Sequence, residues 1–495
     1  MAKKSPVRSL SDSSLAELAN LVVSAIGFSL HSIADNDYVT ITMVEVNSYL
    51  SDAGATSDIY QDLLRVILAS DYLEASMRFT CLQMLLNGGV NTLITDIFPF
   101  SYYEKILQVI AAQGAGLRIL NLKGVWVKEE HMHYMMEIIK KCPHLTKLYI
   151  PYIANDELLE CIAKSSSKLR LIDISGETDI TENGVEYLSK GLSSAKLTVV
   201  DIGMPGEENI CHSDVAMLLE RCPNLETLGT YSFVGQALKF VYDNVDSNFK
   251  SKLKYLHDTH TDGEQLEIIV TTCPNLETLY LDTPKEGILS RLKYTKLRKL
   301  KIYKFQCDEL LQLLENIGKN LSHLTVIKGR GTMELGKLAR LCPSLIDLDF
   351  YMMDQLTYNI PIKFDSLHGL EMLNSPLSMV SLKHFICNNT SLRRLAVDSV
   401  IFGDEDLESI FVPYNFKFLE DIWFTSAPNL TVASIELLID RCPELQSIGQ
   451  ISGWALTPDD LALVRGILKS GNSSLYLSTN NRDILLIPSD DTNDT

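Results

Sequence analysis

Cysteine and histidine are the side chains best able to do chemistry in this chain of 495 residues, and their spacing argues against most of it. Ten cysteines occur but no Cys-x-x-Cys, so no thiolate pair stands at zinc-ligand or redox spacing. His131 and His133 are two apart, and on a helix such neighbours point away from each other. His257 and His260 lack a further cysteine or carboxylate at ligand spacing. No phosphate loop, nucleophile elbow, zincin helix or paired-carboxylate pattern is present. An enzyme, a cofactor and a metal centre are therefore not expected. Five cysteines do share one setting: Cys142, Cys222, Cys273, Cys342 and Cys442 each stand directly before proline.

That setting is mechanical. Proline lacks an N–H and turns the preceding residue away from helical backbone, so a helix ends at each Cys-Pro. Cysteine is small and apolar enough to tuck beneath that end, as a buried structural thiol. A ladder of the form Leu-x-x-Leu-x-Leu follows, as in Leu145, Leu148 and Ile150, or Leu276, Leu279 and Leu281. Ladders start at Leu117, Leu145, Leu169, Leu197, Leu225, Leu253, Leu276, Leu297, Leu324, Leu345, Leu367, Leu392, Leu419 and Leu445. Those fourteen units have a mean period of about 25 residues, the range of leucine-rich repeats. The copies at Leu324 and Leu367 are the poorest. Between ladders the apolar spacing changes to i, i+3, i+4, as in residues 129–141, so each unit reads strand, turn, helix.

The expected fold is an α/β leucine-rich-repeat solenoid, a horseshoe with parallel strands on its concave face and helices on its convex face. Residues 1–12 read as a disordered tail, 13–110 as an N-terminal helical region, 111–470 as the repeat array and 471–495 as an acidic tail. A solenoid needs an atypical end unit to cover its terminal apolar face, which residues 13–110 could supply. The net charge of −19 argues against nucleic-acid or anionic-membrane binding. The longest apolar stretch, Leu18 to Leu30, is short and polar for a membrane span, and no secretory signal is read. Free buried thiols suit a reducing compartment, so a cytoplasmic, possibly nuclear, location is expected.

A Cys-Pro-x-Leu helix end recurring at this period resembles the cysteine-containing repeats of F-box/LRR proteins, over roughly residues 112–450. No F-box is recognisable in residues 1–110. Ser14, Leu15, Leu18 and Val23 resemble the elongin-binding box of cullin-ligase substrate receptors, with Ala19 where that box has cysteine. The resemblance implies a substrate-recognition subunit of a cullin-type ubiquitin ligase, with those four residues holding the adaptor. The alternative is an interaction scaffold or stoichiometric inhibitor whose N-terminal helices only cap the array.

Side chains alternate across a strand, so residues between ladder leucines face the concave side. They include Tyr149, Tyr231, Tyr255, His257, Tyr280, Tyr303, Tyr351 and Trp423. Lys299, Lys301, Lys328 and Arg330 form a basic cluster on neighbouring units, with Asp173 and Asp201 before it and Asp347 and Asp349 after. Tyrosine and tryptophan anchor protein interfaces, and a basic patch attracts an acidic peptide or a phosphate group. The expected partner is thus a protein on the concave face. The same residue types also suit an ordinary solvated strand face.

Overall fold

The computed structural model describes residues 9–31, 36–70, 72–86, 89–95, 98–176, 179–206, 209–294, 296–398, 401–470 and 475–478. Residues 1–8 of the expected N-terminal tail, and all but 475–478 of the expected acidic tail, lie outside the described residues. The chain forms two units: Arg8–Asp258 with Ile268–Leu276, and Thr259–Glu267 with Glu277–Thr495.

The N-terminal unit opens with four helices: α1 (Leu10–His31), α2 (Asn36–Asp52), α3 (Ser57–Leu68) and α4 (Ala75–Leu85). Strands β1 (Thr92–Ile94), β2 (Ile119–Asn121), β3 (Lys147–Tyr149), β4 (Leu171–Asp173) and β5 (Val199–Asp201) follow as one parallel sheet in chain order. Helices α5 (Tyr103–Gln113), α6 (Met132–Lys141), α7 (Asp156–Ser165), α8 (Glu182–Lys190), α9 (His212–Arg221) and α10 (Val234–Asn244) alternate with them, and β6 (Tyr255–Thr259) ends the series.

After α11 (Gly263–Thr272), the C-terminal unit contains β7 (Thr278–Asp282), β8 (Lys299–Gln306), α12 (Cys307–Ile317), β9 (His323–Arg330), β10 (Thr332–Glu334), α13 (Leu335–Leu341) and β11 (Asp347–Tyr351). It continues through β12 (Gln355–Thr357), β13 (Gly369–Leu373), α14 (Met379–Asn388), β14 (Arg394–Val397), α15 (Asp404–Phe411), β15 (Asp421–Phe424), α16 (Val432–Arg441), β16 (Ser447–Gly449), α17 (Pro458–Ser470) and β17 (Tyr476–Leu477). Its main strands pair in parallel, β7 to β8, β9, β11, β13, β14, β15, β16 and β17 in turn. Strands β10 and β12 form a separate parallel pair. The fold is a leucine-rich-repeat solenoid.

The Cys-Pro pairs end helices as expected. Cys142, Cys222, Cys342 and Cys442 cap α6, α9, α13 and α16, with ψ of 63°, 74°, 64° and 86°, outside the helical region. All five thiols are buried, and Cys142 Sγ donates to the Gly114 carbonyl of the preceding repeat at 3.1 Å. Burial pushes the Cys142 thiol up to about 11 and Cys222, Cys273, Cys342 and Cys442 to about 12, so they stay protonated and inert at neutral pH.

One ladder starts earlier than the sequence suggests. Leu324 pairs with Leu300 on one side and Leu348 on the other, each the second leucine of its ladder. The first leucine is therefore the fully buried Leu321, and the ladder reads Leu321, Leu324, Val326. A conformational mark confirms this register. Seven residues after the first leucine the backbone turns left-handed, at Gly124, Tyr152, Gly176, His260, Thr283, Lys304, Lys328, Met352, Asn374 and Ser426, and the non-glycine residues there have φ between 48° and 64°. Lys328 takes this corner only if Leu321 begins the unit.

The array also extends beyond the fourteen ladders, to β1 before Leu117 and β17 after Leu445. Helix α3 packs against the start of the sheet and satisfies the free edge of β1 with one side chain: Gln61 Oε1 accepts from the Asn91 and Thr92 amides at 3.0 and 2.8 Å, while Nε2 donates to the Thr92 carbonyl at 2.8 Å. An unpaired strand edge invites aggregation, and Gln61 covers the start of this one. Helix α1 is longer than its apolar core suggested: Ser11–Leu30 is long and apolar enough to cross a bilayer by length and composition. In this fold it buries Ala19, Val22 and Ile26 and packs on α2, α3 and α4.

Candidate functional site

Strand register lays the non-ladder residues of the C-terminal unit into three rows on one sheet face. The first runs Lys299, His323, Asp347, Gly369, Arg394 and Asp421. The second runs Tyr280, Lys301, Thr325, Asp349, Glu371, Ala396 and Trp423. The third runs Asp282, Tyr303, Ile327, Tyr351 and Leu373. Basic residues thus gather over β8 and β9 and carboxylates over β11 and β13.

The tyrosines on the basic side are not exposed anchors. Tyr280 and Tyr303 retain 6% and 4% exposure and pack with Ile327 in one cluster, against which Tyr351 and Met352 lie half-buried. Lysines cover the rings: Lys301 Nζ is 4.2 Å from the Tyr280 ring centre, and Lys304 and Lys328 are 5.3 and 5.4 Å from that of Tyr303. Such stacking stabilises a cation by about 0.5–2 kcal/mol. Burial lowers the Lys301 pKa, opposed by the nearby Asp282 carboxylate. Lys328, expected on the strand face, stands instead at the left-handed corner, and Arg330 is exposed at the end of β9. Both shifts follow from the Leu321 register.

On the acidic side, His323, Asp347, Asp349, Glu371 and Arg394 line a cleft of about 310 Å³. Asp347 pairs with Arg394 and lies 3.1 Å from His323 Nε2. Thr325 donates to Asp349 at 2.9 Å, and the Tyr351 hydroxyl donates to Glu371. Burial raises the Asp349 carboxyl to about 6, with the Glu371 and Asp347 charges adding to the rise and the Thr325 hydrogen bond and Arg394 opposing it. Burial, with help from Lys299, lowers the His323 imidazole, so its contact with Asp347 at neutral pH is chiefly a hydrogen bond. These neighbours were legible as charges, not as a network.

In the N-terminal unit the expected charges serve the fold. Asp173 pairs with Lys123 at 2.8 Å, and Lys123 also covers the Tyr149 ring at 5.2 Å. Asp201 Oδ1 accepts from the Gly203 and Thr230 amides, both at 3.0 Å, and from the Thr230 hydroxyl at 2.8 Å. Tyr231 is buried, with its hydroxyl 3.0 Å from His212 Nδ1. Tyr255 and His257 are half-buried on β6, and burial, then Asp201, raises the Tyr255 pKa. Sequence reasoning missed Trp126 and Tyr152, exposed rings stacked at 5.3 Å and 8°. Tyr152 occupies a left-handed corner, a position the ladder pattern marks without saying what it presents.

Of the four residues matched to an adaptor box, Ser14 is exposed, whereas Leu15, Leu18 and Val23 are half-buried. The large exposed apolar residues of α1 are Leu21 and Phe28, at 60% and 72%; on α2 they are Tyr38, Ile41, Val44 and Tyr49. Among the described residues no group of three or more histidine, cysteine or carboxylate side chains could hold a metal.

No family model matches the chain, and no curated protein matches it in sequence. Similar solved structures include the Rad7 and Elc1 complex in yeast, at 14% identity over 90% of this chain and 93% of that one, with a TM-score of 0.38. Another is the leucine-rich repeat-containing protein LegL7 from Legionella pneumophila, at 14% identity over 53% of this chain and 90% of that one, with a TM-score of 0.32. By its own strand register and helix ends, this chain folds as a leucine-rich-repeat solenoid preceded by four helices.

Proposed function

We propose that this chain is a binding protein, and specifically a substrate-recognition subunit of a cullin-type ubiquitin ligase in the cytoplasm or nucleus. The C-terminal sheet face would hold the target, and α1 with α2 would hold the adaptor. The observation that carries the second half is the division of labour among the N-terminal helices. Helix α3 covers the start of the sheet edge through Gln61, while α1 and α2 leave Leu21, Phe28, Ile41, Val44 and Tyr49 in solvent. Large apolar side chains gathered on neighbouring helices mark a docking surface. The adaptor contacts therefore shift from Leu15, Leu18 and Val23 to Leu21 and Phe28.

The test is affinity capture from cytosol with the full chain and with Leu21→Asp combined with Phe28→Asp, read by mass spectrometry. A cullin and its small adaptor recovered with the first and not the second support the reading. If neither is recovered with the full chain, the ligase role falls, and the chain is an interaction scaffold or stoichiometric inhibitor.

A further inference from the structure

Four successive turns of the N-terminal unit, residues 114–119, 142–147, 166–171 and 194–199, run into β2, β3, β4 and β5. They carry Arg118, His144, Lys147, Lys168, Arg170 and Lys196, all exposed, and no carboxylate. In a chain of net charge −19, such a row of bases is a local exception. We propose that this margin of the sheet docks an acidic segment, a run of aspartate and glutamate side chains, of a protein partner. The site goes beyond the ligase reading, since it uses neither the C-terminal sheet face nor the exposed residues of α1 and α2.

Repeat geometry makes the row. The Arg118 carbonyl accepts from the Thr146 and Lys147 amides at 2.7 and 3.1 Å, and the Thr146 carbonyl from those of Arg170 and Leu171 at 2.8 and 3.1 Å. Arg118, Lys147 and Arg170 therefore stand at the starts of three neighbouring strands, about 4.8 Å apart per strand. These three form no ion pair with the described residues. The lysines just before the ladders reach back to the preceding turn and find only neutral acceptors: Lys168 Nζ lies 3.0 Å from His144 Nδ1, and Lys196 Nζ donates to the Ser167 carbonyl at 2.7 Å. Carboxylates around the row are balanced by other cations. Glu137, Glu160 and Glu186 pair with Lys141, Lys164 and Lys190 on the helices, and Glu226 with Lys254 on the turns that follow. Asp173 and Asp201 end β4 and β5, where both act on Lys123. Like charges on adjacent strands repel, and a docked polyanion relieves that repulsion. Two features favour a peptide over a nucleic acid. The four turns hold no Phe, Tyr or Trp on which bases could stack, and the charge of the whole chain repels a long polyanion.

The test uses the full chain and three rhodamine-labelled probes of equal length, an oligoglutamate, an oligoglutamine and an oligothymidylate, read by fluorescence anisotropy. Arg118→Gln combined with Lys147→Gln and Arg170→Gln changes three exposed side chains, and circular dichroism checks that the fold is kept. Oligoglutamate is expected to bind, more weakly as salt rises, and oligoglutamine not to bind. The variant is expected to lose about tenfold in affinity for oligoglutamate or more. Equal binding of the two peptides, or binding of neither, overturns the inference. An affinity unchanged in the variant overturns this margin as the docking site. Tighter binding of oligothymidylate gives the margin to nucleic acid and overturns the peptide reading. None of these results bears on the ligase reading, which the capture experiment decides with other residues.

Discussion

Arg394 reaches across a whole strand to pair with Asp347, passing over Gly369 on the strand between them. A Cβ at Gly369 would lie 2.0 Å from Asp347 Oδ1 and 2.8 Å from Arg394 Nη2, so only glycine leaves the path open. Gly369→Ala is expected to push these two side chains apart and cost up to about 1 kcal/mol, the worth of a partly exposed ion pair. Arg394→Met removes the cation from among Asp347, Asp349 and Glu371 and is expected to destabilise most at pH 7.5 and less at pH 5, where carboxyl protonation relieves the repulsion. Because both substitutions break one contact, their effects in the double variant should fall well short of additive. Urea denaturation of the four proteins measures this, and strict additivity would separate the glycine from the ion pair.

The same cluster sets a pH dependence. Asp349 is raised to about 6 in the folded protein, against about 4 for an unfolded aspartate. The folded state therefore binds this proton more tightly. The stabilisation is complete below pH about 4 and is lost as pH rises through about 6. Asp349→Asn removes the titrating group, so the variant should gain on the wild type by on the order of 2 kcal/mol between pH 4 and 7.5. Denaturation midpoints across that range report the difference. A gap that stays constant with pH would show that Asp349 does not titrate there.

The buried thiols make a chemical prediction. Cys142, Cys222, Cys273, Cys342 and Cys442 are buried and protonated, whereas Cys211 is exposed. Iodoacetamide at pH 8 should alkylate Cys211 in the native protein and spare the five until urea unfolds it. Peptide mass spectrometry after a timed quench gives the order. Early alkylation at any Cys-Pro site would refute its placement beneath a helix end.

The repeat was legible because each ladder leucine is fully or nearly fully buried, and the Cys-Pro signal fixed where helices stop. Register failed at Leu324 because β9 offers two overlapping apolar patterns: Leu321, Leu324 and Val326 against Leu324 and Ile327. Only pairing with Leu300 and Leu348 separates them. Strands β1 and β17 were missed because their sequences depart from the ladder: Leu93 pairs with Leu120 and Leu477 with Ile448, which puts Thr95 two residues after the one and Ser474 three residues before the other, where most other units carry an apolar residue. Alternation put Tyr280, Tyr303 and Tyr351 on one sheet face, as strand register does, but could not show that neighbours there cover one another. The role of Gly369 was invisible for a similar reason, since its two neighbours, Asp347 and Arg394, are 22 and 25 residues away in sequence.

Tyr303 is where the two accounts of this face diverge in a measurable way. Read as an interface anchor, it would be exposed, and its loss would weaken binding while leaving stability unchanged. With 4% exposure, packed with Tyr280 and Ile327 beneath Lys304 and Lys328, it is part of the core. Tyr303→Ala is therefore expected to cost about 3 kcal/mol, as truncation of a buried aromatic does. Lys304→Ala, at an exposed position, should stay within about 0.5 kcal/mol. The docking energy would then reside in the lysine canopy and the half-buried Tyr351, not in the rings beneath. Thermal and urea unfolding of the two variants discriminate: a stable Tyr303→Ala protein that no longer binds its partner would return the ring to the surface.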